Sequence, residues 1–393
     1  MTAKDENYNT GAVLAAACTG MCFFGVSMIA LGAVLPSLTE ALSLTPDQAI
    51  DLTTLLPLGL LAGSVVFGPV VDRFGHKFML LGNCVLVLLG VLGVAFATDT
   101  VLLKAAIAAI GFGGGVLNGE TNALVSDICE GTRRNSRLSF LGVFYGLGAL
   151  TIPLLLASLS QTCTYREILT GIGCLMALGI ICCMPLRFPA PKQAQGFPLR
   201  DAAKVITNPV LLLLSFILFF QSGTEGVTNN WTTSFLTGEN YDNATAQLSL
   251  TAMLIGLTAA RLLQGMLFTR LNPRRVLLVS LGLAAAGYAV LLTAPTPFTV
   301  MGAMVFEGAG LASTFPVILG LLGERFAALS GTAFSVALVI ALCGQTAMNY
   351  SAGLIAAGPG VRYFPILTLG AIAAMFILFT IYSVKSNIYK QTN

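Results

Sequence analysis

Six of the polar side chains in the apolar run that begins at Pro209 share a helical spacing, and one of them is a carboxylate. On a helix the second to sixth would lie one, four, seven, eight and eleven positions after the first, along one stripe. A carboxylate at the centre of a bilayer costs about 2.5–3.5 kcal/mol, so it is expected where it meets water, a ligand or a proton. The spacing predicts one wall of a polar cavity, formed by Gln221, Ser222, Glu225, Thr228, Asn229 and Thr232.

Two further carboxylates, Glu120 and Glu307, lie inside apolar runs. Because burial favours the neutral form of a carboxyl group, Glu225, Glu120 and Glu307 are all candidates for proton coupling. Glu120 would lie on a different helical face from Asn118 and Asn122, so its alternative role is a protonated acid hydrogen-bonded between helices. Arg261 is the one basic residue that lies well away from the ends of a run, and we expect it to pair with an acid such as Glu307 or with carbonyl groups.

Amide and aromatic side chains in other runs complete the predicted cavity. Trp231 suits either the membrane interface or stacking on a sugar ring, and Tyr145 suits either a ring contact or core packing. Basic residues are nearly absent from the predicted cavity, which disfavours an anionic substrate. Its amides, carboxylates and aromatic rings suit a neutral polyhydroxylated solute. The predicted lining consists of Asn118, Asn122, Tyr145, Gln221, Glu225, Asn229, Trp231, Gln345 and Asn349.

The composition of the chain is that of an all-α polytopic membrane protein. Its 393 residues are 56% hydrophobic and 9% charged, whereas soluble domains carry about 25% charged residues. The apolar runs are each about 20 residues or longer, enough to cross a bilayer, and they predict twelve transmembrane helices. These runs lie near residues 12–36, 52–71, 78–97, 101–126, 137–159, 167–185, 209–236, 247–269, 275–293, 297–322, 330–356 and 363–384.

The distribution of Lys and Arg predicts the orientation of the chain. With the N-terminus in the cytoplasm, 16 of the 20 basic residues fall on the cytoplasmic side. The same asymmetry places the C-terminus in the cytoplasm and supports an even number of spans. We expect an integral protein of a bacterial inner membrane, in contact with the lipid bilayer, monomeric, and without nucleic acid as a partner.

The chain also divides into two similar halves. Residues 187–208 are rich in proline and basic residues and predict a cytoplasmic linker between an N-terminal six-helix bundle, 1–186, and a C-terminal six-helix bundle, 209–393. The segment from Gly68 to Lys77 joins the second and third runs, and a related segment from Gly265 to Arg275 joins the eighth and ninth. Two halves in parallel relation predict a transporter with its site between them.

The segment Gly68-Pro-Val-Val-Asp72-Arg73-Phe-Gly75-His76-Lys77 resembles the GxxxDRxGxK loop of the major facilitator superfamily. This resemblance implies the twelve-helix fold, alternating access, and a gating loop made of Gly68, Asp72, Arg73, Gly75 and Lys77. The second copy has Thr269 in place of the acid. Physically, Gly68 would allow close helix packing, Asp72 could face a helix N-terminus, and Arg73 could pair with acids of the other half. For His76, the only histidine, we expect a conformational role.

Three further stretches resemble the branch of fucose–galactose–glucose:proton symporters. They are Asn122-Ala123, the segment from Phe144 to Pro153, and Gly223-Thr-Glu225 followed by Trp231. The resemblance implies proton-coupled symport of a monosaccharide. The chain departs from the branch at Asn118, where an acid is expected, and in the first run, which has no acid.

The alternatives are efflux of a drug or metabolite by proton antiport, a membrane sensor and a membrane-embedded enzyme. Drug:proton antiporters of the superfamily that this chain resembles usually end a glycine-rich fifth helix in a Gly-Pro pair. The fifth run here has no such pair, so the resemblance disfavours efflux. The sequence offers no nucleophile–base pair and no phosphate loop, so we expect no enzyme activity and no cofactor. Its nine cysteines show no CxxC spacing, which predicts no metal site.

Overall fold

The computed structural model describes residues 8–159, 162–193, 199–267, 271–293, 296–358 and 360–391. These residues form α-helices and two short 3-10 helices, and no strand occurs among them. The first seven helices are α1 (Thr10–Leu42), α2 (Pro46–Phe74), α3 (His76–Phe96), α4 (Thr100–Ile128), α5 (Gly131–Leu159), α6 (Tyr165–Cys183) and α7 (Leu199–Ile206). The others are α8 (Pro209–Gly238), α9 (Asn243–Leu267), α10 (Pro273–Thr293), α11 (Pro297–Leu311), α12 (Thr314–Arg325), α13 (Ser330–Ala357) and α14 (Phe364–Gln391).

Twelve helical stretches in the described part of the chain are long and apolar enough to cross a membrane, which confirms the predicted fold class. The tenth stretch, Pro297–Arg325, contains both α11 and α12 and is interrupted at Ala312 and Ser313. The helix α7 is too short to span and lies within the predicted linker. Residues 194–198 of that linker, and Thr269 and Arg270 of the second loop copy, lie outside the described residues.

Local sequence signals fix where several helices begin. Thr45 and Thr164 form capping boxes with Gln48 and Glu167, and each box satisfies backbone amides that have no partner within the helix. Asn208 caps α8, and Pro209 follows as its first residue, where a missing amide hydrogen costs nothing. The start of α8 thus sets which of its residues lie at mid-membrane depth.

The described helices pack into two compact units. The first unit consists of Met1–Ile128, Leu141–Ala202 and Ala328–Ser335. Within it α4 is central, because it packs against α1, α2 and α3, while α6 packs against α3. Gly115 of α4 meets the carbonyl group of Leu60 on α2 so closely that no Cβ would fit there.

The second unit consists of Cys129–Phe140, Ala203–Ala327 and Val336–Asn393. Within it α11 packs against α9 and α10, and α14 packs against α8 and α10. The start of α5 therefore groups with the second unit and the start of α13 with the first. The division into bundles 1–186 and 209–393 stays a prediction.

Candidate functional site

The polar stripe predicted on α8 has a buried part and a more open part. The buried part consists of Gln221, Thr228 and Thr232, and the more open part of Ser222, Glu225 and Asn229. Nε2 of Gln221 donates to Oε2 of Glu225 over 3.0 Å. Oε1 of Gln221 is buried without a hydrogen-bond partner among the described residues. Glu225 therefore lies where the stripe opens, beside an amide with unused hydrogen-bonding capacity.

Helix α13 brings two further predicted residues to this stripe within the second unit. A Cβ added at Gly226 would lie 2.6 Å from Cγ of Gln345 and 2.9 Å from Nδ2 of Asn349. Nδ2 of Asn349 donates to the carbonyl oxygen of Gln345 over 2.8 Å, and Nδ2 of Asn230 donates to Oδ1 of Asn349 over 2.8 Å. The amides of α13 thus lie directly against α8, one residue after Glu225.

Trp231 lies on α8 and faces α13. Its ring is partly buried, and a Cβ at Gly353 of α13 would lie 3.6 Å from it. Gly353 therefore places no side chain against that edge of the ring. The residues predicted on α8 and α13 are therefore brought together on two adjacent helices, and we call Gln221, Glu225, Trp231, Gln345 and Asn349 the α8–α13 cluster.

Glu307 forms a second polar group in this unit, on the buried side of α8. The hydroxyl of Tyr288 donates to Oε1 of Glu307 over 2.6 Å, and Oγ1 of Thr228 donates to the same oxygen over 3.2 Å. The hydroxyl groups of Thr228 and Tyr288 also contact each other. All three residues are fully buried, so Glu307 is enclosed by neutral donors.

The expected partner of Arg261 is not found. The hydrogen bonds of Glu307 come from Tyr288 and Thr228, and within the described ranges no carboxylate lies within ion-pair distance of Arg261. Arg261 is 8% exposed, and its Nε is buried without a partner in the same part of the chain.

The predicted site residues of the first unit lie on α4 and α5. Nδ2 of Asn122 donates to the carbonyl oxygen of Asn118 over 2.7 Å and to its Oδ1 over 3.3 Å. Asn122 is buried and Asn118 is partly buried. The ring of Tyr145 on α5 packs against Phe24 of α1, with ring centroids 5.3 Å apart. The side-chain amide of Asn122 thus donates to two oxygens of Asn118 along one face of α4.

Glu120 lies on another face of α4, away from these amides. It is 0% exposed, and its Oε1 is 2.8 Å from Nδ1 of His76 at the start of α3. The other ring nitrogen of His76, Nε2, is 3.0 Å from Oδ2 of Asp127, the second-last residue of α4. A histidine ring therefore bridges two carboxylates of the same helix, and this pairing was not predicted from the sequence.

Asp127 also connects three separate segments of the first unit. Nζ of Lys192, in the segment after α6, lies 2.6 Å from its Oδ2. Oγ of Ser330, the first residue of α13, donates to Oδ1 of Asp127 over 2.9 Å, and Lys192 donates to that hydroxyl over 2.6 Å. We call Asp127, Lys192 and Ser330 the Asp127 junction.

The predicted gating loop holds the next two residues of α13. Oδ1 of Asp72 accepts from the amide of Gly331 over 3.1 Å, and Oδ2 accepts from the amide and the hydroxyl of Thr332 over 2.9 and 2.7 Å. Asp72 therefore lies at a helix N-terminus, where a negative charge is favourable. A Cβ at Gly68 would lie 2.5 Å from the carbonyl oxygen of Gly331, so only glycine fits there.

The remaining loop residues have different surroundings. Gly75 has φ +85°, in the left-handed region that glycine tolerates, and it separates α2 from α3. Arg73 and Lys77 are exposed. The guanidinium group of Arg73 lies 5.2 Å from the ring centroid of Phe74, and the described segments contain no carboxylate paired with it. The expected pairing of Arg73 with an acid is therefore not observed.

Sequence reasoning missed Tyr288 and the partners of His76. Tyr288 carried a usable signal, since a tyrosine inside an apolar run needs a partner for its hydroxyl group. Asp127, Lys192 and Ser330 carried none, because charged and hydroxyl residues at a predicted membrane boundary are ordinary.

Comparison with known proteins gives the relationships of the chain. The sequence model of the Major Facilitator Superfamily matches residues 15–243 and 214–392. Bypass of stop codon protein 6 of Saccharomyces cerevisiae is 23% identical over 91% of this chain and 80% of the yeast protein. The glucose/mannose transporter GlcP of Bacillus subtilis is 24% identical over 77% of this chain and 78% of its own length.

The fold has solved counterparts as well. A crystal structure of the E. coli fucose:proton symporter FucP matches with a TM-score of 0.79, covering 94% of this chain and 98% of that one. The two sequences are 16% identical, so this likeness concerns the fold.

Proposed function

The chain belongs to the Major Facilitator Superfamily of membrane transporters, and from this membership we propose that it carries a neutral monosaccharide or polyol together with a proton. It is an integral membrane protein, and its relatives and structural neighbours are transporters rather than enzymes. Transport by this family implies alternating access to a central site. In this symport the solute and the proton cross the membrane in the same direction.

The α8–α13 cluster is the observation that carries the choice of substrate. It offers amide donors and acceptors, a partly buried carboxylate and an indole ring on adjacent helices. Sugar hydroxyl groups both donate and accept, so they suit amides and carboxylates, and the apolar face of a sugar ring suits an indole. Gln221 Oε1, buried without a partner in the described part, is a ready acceptor for such a hydroxyl.

Two relatives support this choice by their names. GlcP is a glucose/mannose transporter, and FucP is a fucose:proton symporter. Both proteins are thus named as sugar transporters, and the second is named as coupled to protons.

Glu225 is the proposed proton-coupling residue, because it combines partial exposure with a place in the cluster. Glu307 is the second candidate, because its carboxyl group accepts from Thr228, which lies on the same helix as Glu225. Protonation would remove the charge of the carboxylate and with it the desolvation cost of closing the site over a neutral sugar. Asn118, Asn122 and Tyr145 of the first unit stay proposed substrate-binding residues.

We place the protein in a bacterial inner membrane as a monomer, with both termini in the cytoplasm. The distribution of basic residues described above supports the cytoplasmic placement of both termini.

The test is uptake into liposomes that contain the purified protein. Labelled neutral hexoses, pentoses and polyols are offered with and without an inward proton gradient. We expect at least one of them to accumulate above its external concentration with the gradient, and a protonophore to abolish that accumulation. Absence of uptake under every gradient contradicts the proposal, and proton-driven expulsion would favour antiport.

The Glu225→Gln variant tests the coupling residue in the same assay. We expect loss of gradient-driven accumulation with retention of sugar exchange, because the amide keeps the shape and hydrogen bonding of the side chain but not its proton. Glu239→Gln is the matched control, since Glu239 is an exposed acid directly after α8. Accumulation that survives in Glu225→Gln would transfer the role to Glu307.

A further inference from the structure

The ring of His76 lies between two carboxylates with both of its nitrogens engaged. Nδ1 is 2.8 Å from Glu120 and Nε2 is 3.0 Å from Asp127. The side chains of His76, Glu120 and Asp127 are 6%, 0% and 9% exposed, so water is largely excluded. None of these three residues belongs to the α8–α13 cluster.

The geometry sets the number of protons that the group must hold. A neutral imidazole has one N–H and can donate to one carboxylate only. Its second nitrogen then faces the other carboxylate at hydrogen-bond distance, and two lone pairs repel unless one more proton lies between them. That proton makes either an imidazolium ion between two carboxylates or a neutral imidazole beside a carboxylic acid.

The surrounding partners indicate where this proton lies. Asp127 is already paired with Lys192 and Ser330, which stabilise its negative charge. Glu120 has no such partners: its Oε2 is buried and unbonded within the described ranges. The additional proton is therefore shared between His76 and Glu120.

Loss of that proton has a mechanical consequence. The group of His76, Glu120, Asp127 and Lys192 is neutral with the proton and carries one buried negative charge without it. A buried unpaired charge is costly, so the deprotonated group is relieved by admitting water. Opening at this point separates His76 from Asp127 and loosens the Asp127 junction, which holds the first residue of α13.

The other titratable or charged groups near this site come from three helices, α2, α3 and α6. Asp72 of α2 and Cys84 of α3 both lie within electrostatic reach of Glu120. Cys183 of α6 lies beside Cys84. Lys77 of α3 and Arg73 of α2 are exposed to solvent. None of them takes either ring nitrogen of His76 as a partner.

We propose that His76 and Glu120 form a proton-binding pair whose occupancy by one proton keeps the Asp127 junction closed. On the predicted orientation, this pair releases its proton to the cytoplasm from the ring or the carboxyl group, and the release frees the start of α13. The inference rests on the proposed proton-coupled function, for which it supplies the exit step of the proton. It gives His76 a positioning role in addition to proton binding.

Because His76 is the only histidine, nuclear magnetic resonance can observe it directly. Protein labelled with 15N-histidine, with a histidine-free affinity tag and in lipid nanodiscs, gives one imidazole. We expect the 15N chemical shifts of this imidazole to change in a single step as the pH rises and the shared proton is lost. In Glu120→Gln the ring loses its second carboxylate, so we expect a neutral ring donating to Asp127 throughout the neutral range.

Hydrogen–deuterium exchange of residues 330–335 reports the junction without any transport. After correction for the intrinsic pH dependence of exchange, we expect a step that coincides with the imidazole step. His76→Gln and Glu120→Gln should lose this step. Glu130→Gln, which changes an exposed acid just after α4, should keep it.

The outcomes separate this inference from the proposed function. An imidazole that titrates like a solvent-exposed histidine, or an exchange step unchanged in both variants, overturns the proton pair. If His76→Gln fails to fold, the inference is still tested by Glu120→Gln and by whether the imidazole and exchange steps of the wild-type protein occur at the same pH. If the symport assay fails but the imidazole and exchange steps occur at the same pH, the proposed function is contradicted and the proton-binding pair is still supported.

Discussion

Glu307 lies wholly inside the second unit, and its hydrogen bonds come from hydroxyl groups rather than from a basic residue. A carboxylate in that position would be buried without a compensating charge, whereas a carboxylic acid needs only neutral partners. Tyr288 is such a partner, and its ring also packs against Phe364 at 6.0 Å between centroids. The hydroxyl of Tyr288 thus contributes mainly through Glu307 and Thr228.

Removing that hydroxyl should destabilise the protein. Tyr288→Phe keeps the ring and its packing but removes the 2.6 Å donor to Glu307, and leaving a buried acceptor short of a donor costs about 1–3 kcal/mol. We expect a lower Tm in detergent for Tyr288→Phe and a smaller further loss when Glu307→Gln is added, since the two share one interaction.

Tyr350→Phe is the control, because Tyr350 is 70% exposed, so its hydroxyl is not enclosed by protein as that of Tyr288 is. Equal Tm values for the Tyr288 and Tyr350 variants would contradict the role given to the buried hydroxyl.

At the residue scale, sequence spacing predicted contacts within a helix better than contacts between helices. Gln221 and Glu225 are four positions apart, so their pairing follows from helix geometry, and so does the contact between Asn118 and Asn122. His76 and Glu120 are 44 positions apart, and their meeting depends on how α3 and α4 pack. Periodicity carries no information on that packing.

The spacing between α8 and α13 is set by glycine. At Gly344 a Cβ would collide with the backbone carbonyl of Phe219, and a Cβ at Gly223 would meet the side chain of Met348. Close backbone approach in lipid is typical of small residues. This spacing is what places Gln345 and Asn349 directly on the polar part of α8.

Gly344→Ala should force the two helices apart. The obstructing atom belongs to a backbone, which cannot rotate away, and overpacking of this kind costs about 1–3 kcal/mol. We expect a lower Tm together with a higher KM for the transported sugar, because the amides of α13 move relative to Glu225.

Gly370→Ala provides the matched comparison, since nothing lies within 4 Å of a Cβ at that position on α14. Identical sugar KM and Tm in the two variants would contradict the spacing role of Gly344.

At the element scale, the length of the apolar runs predicted all twelve spanning stretches, because the bilayer imposes that length. Two details were not predictable in this way. The interruption at Ala312 and Ser313 lies inside a run that stays apolar on both sides. The helix α7 has only eight residues within a polar, proline-containing segment, where hydropathy has no bearing.

The orientation of the whole molecule is a prediction from charge alone. Sixteen of the 20 basic residues fall on one side of the predicted membrane, and moving them across would oppose the rule that retains Lys and Arg in the cytoplasm. That side includes His76, the Asp127 junction and Asp72, so the proton released by His76 and Glu120 reaches the cytoplasm only if this orientation is correct. A measurement of the membrane orientation therefore tests both the topology and the proposed exit of the proton to the cytoplasm.

Reporter fusions in bacterial cells measure that orientation. Green fluorescent protein, which fluoresces when it folds in the cytoplasm, is fused after Asn393, and alkaline phosphatase, which is active outside, is fused there in a parallel strain. We expect fluorescence and no phosphatase activity at this position. The same reporters fused after Tyr241, beyond the end of α8, should give the opposite pattern, because α8 crosses the membrane once from the linker side. Phosphatase activity after Asn393 would place the His76–Glu120 pair on the outer side, where its proton would enter the carrier instead of leaving it.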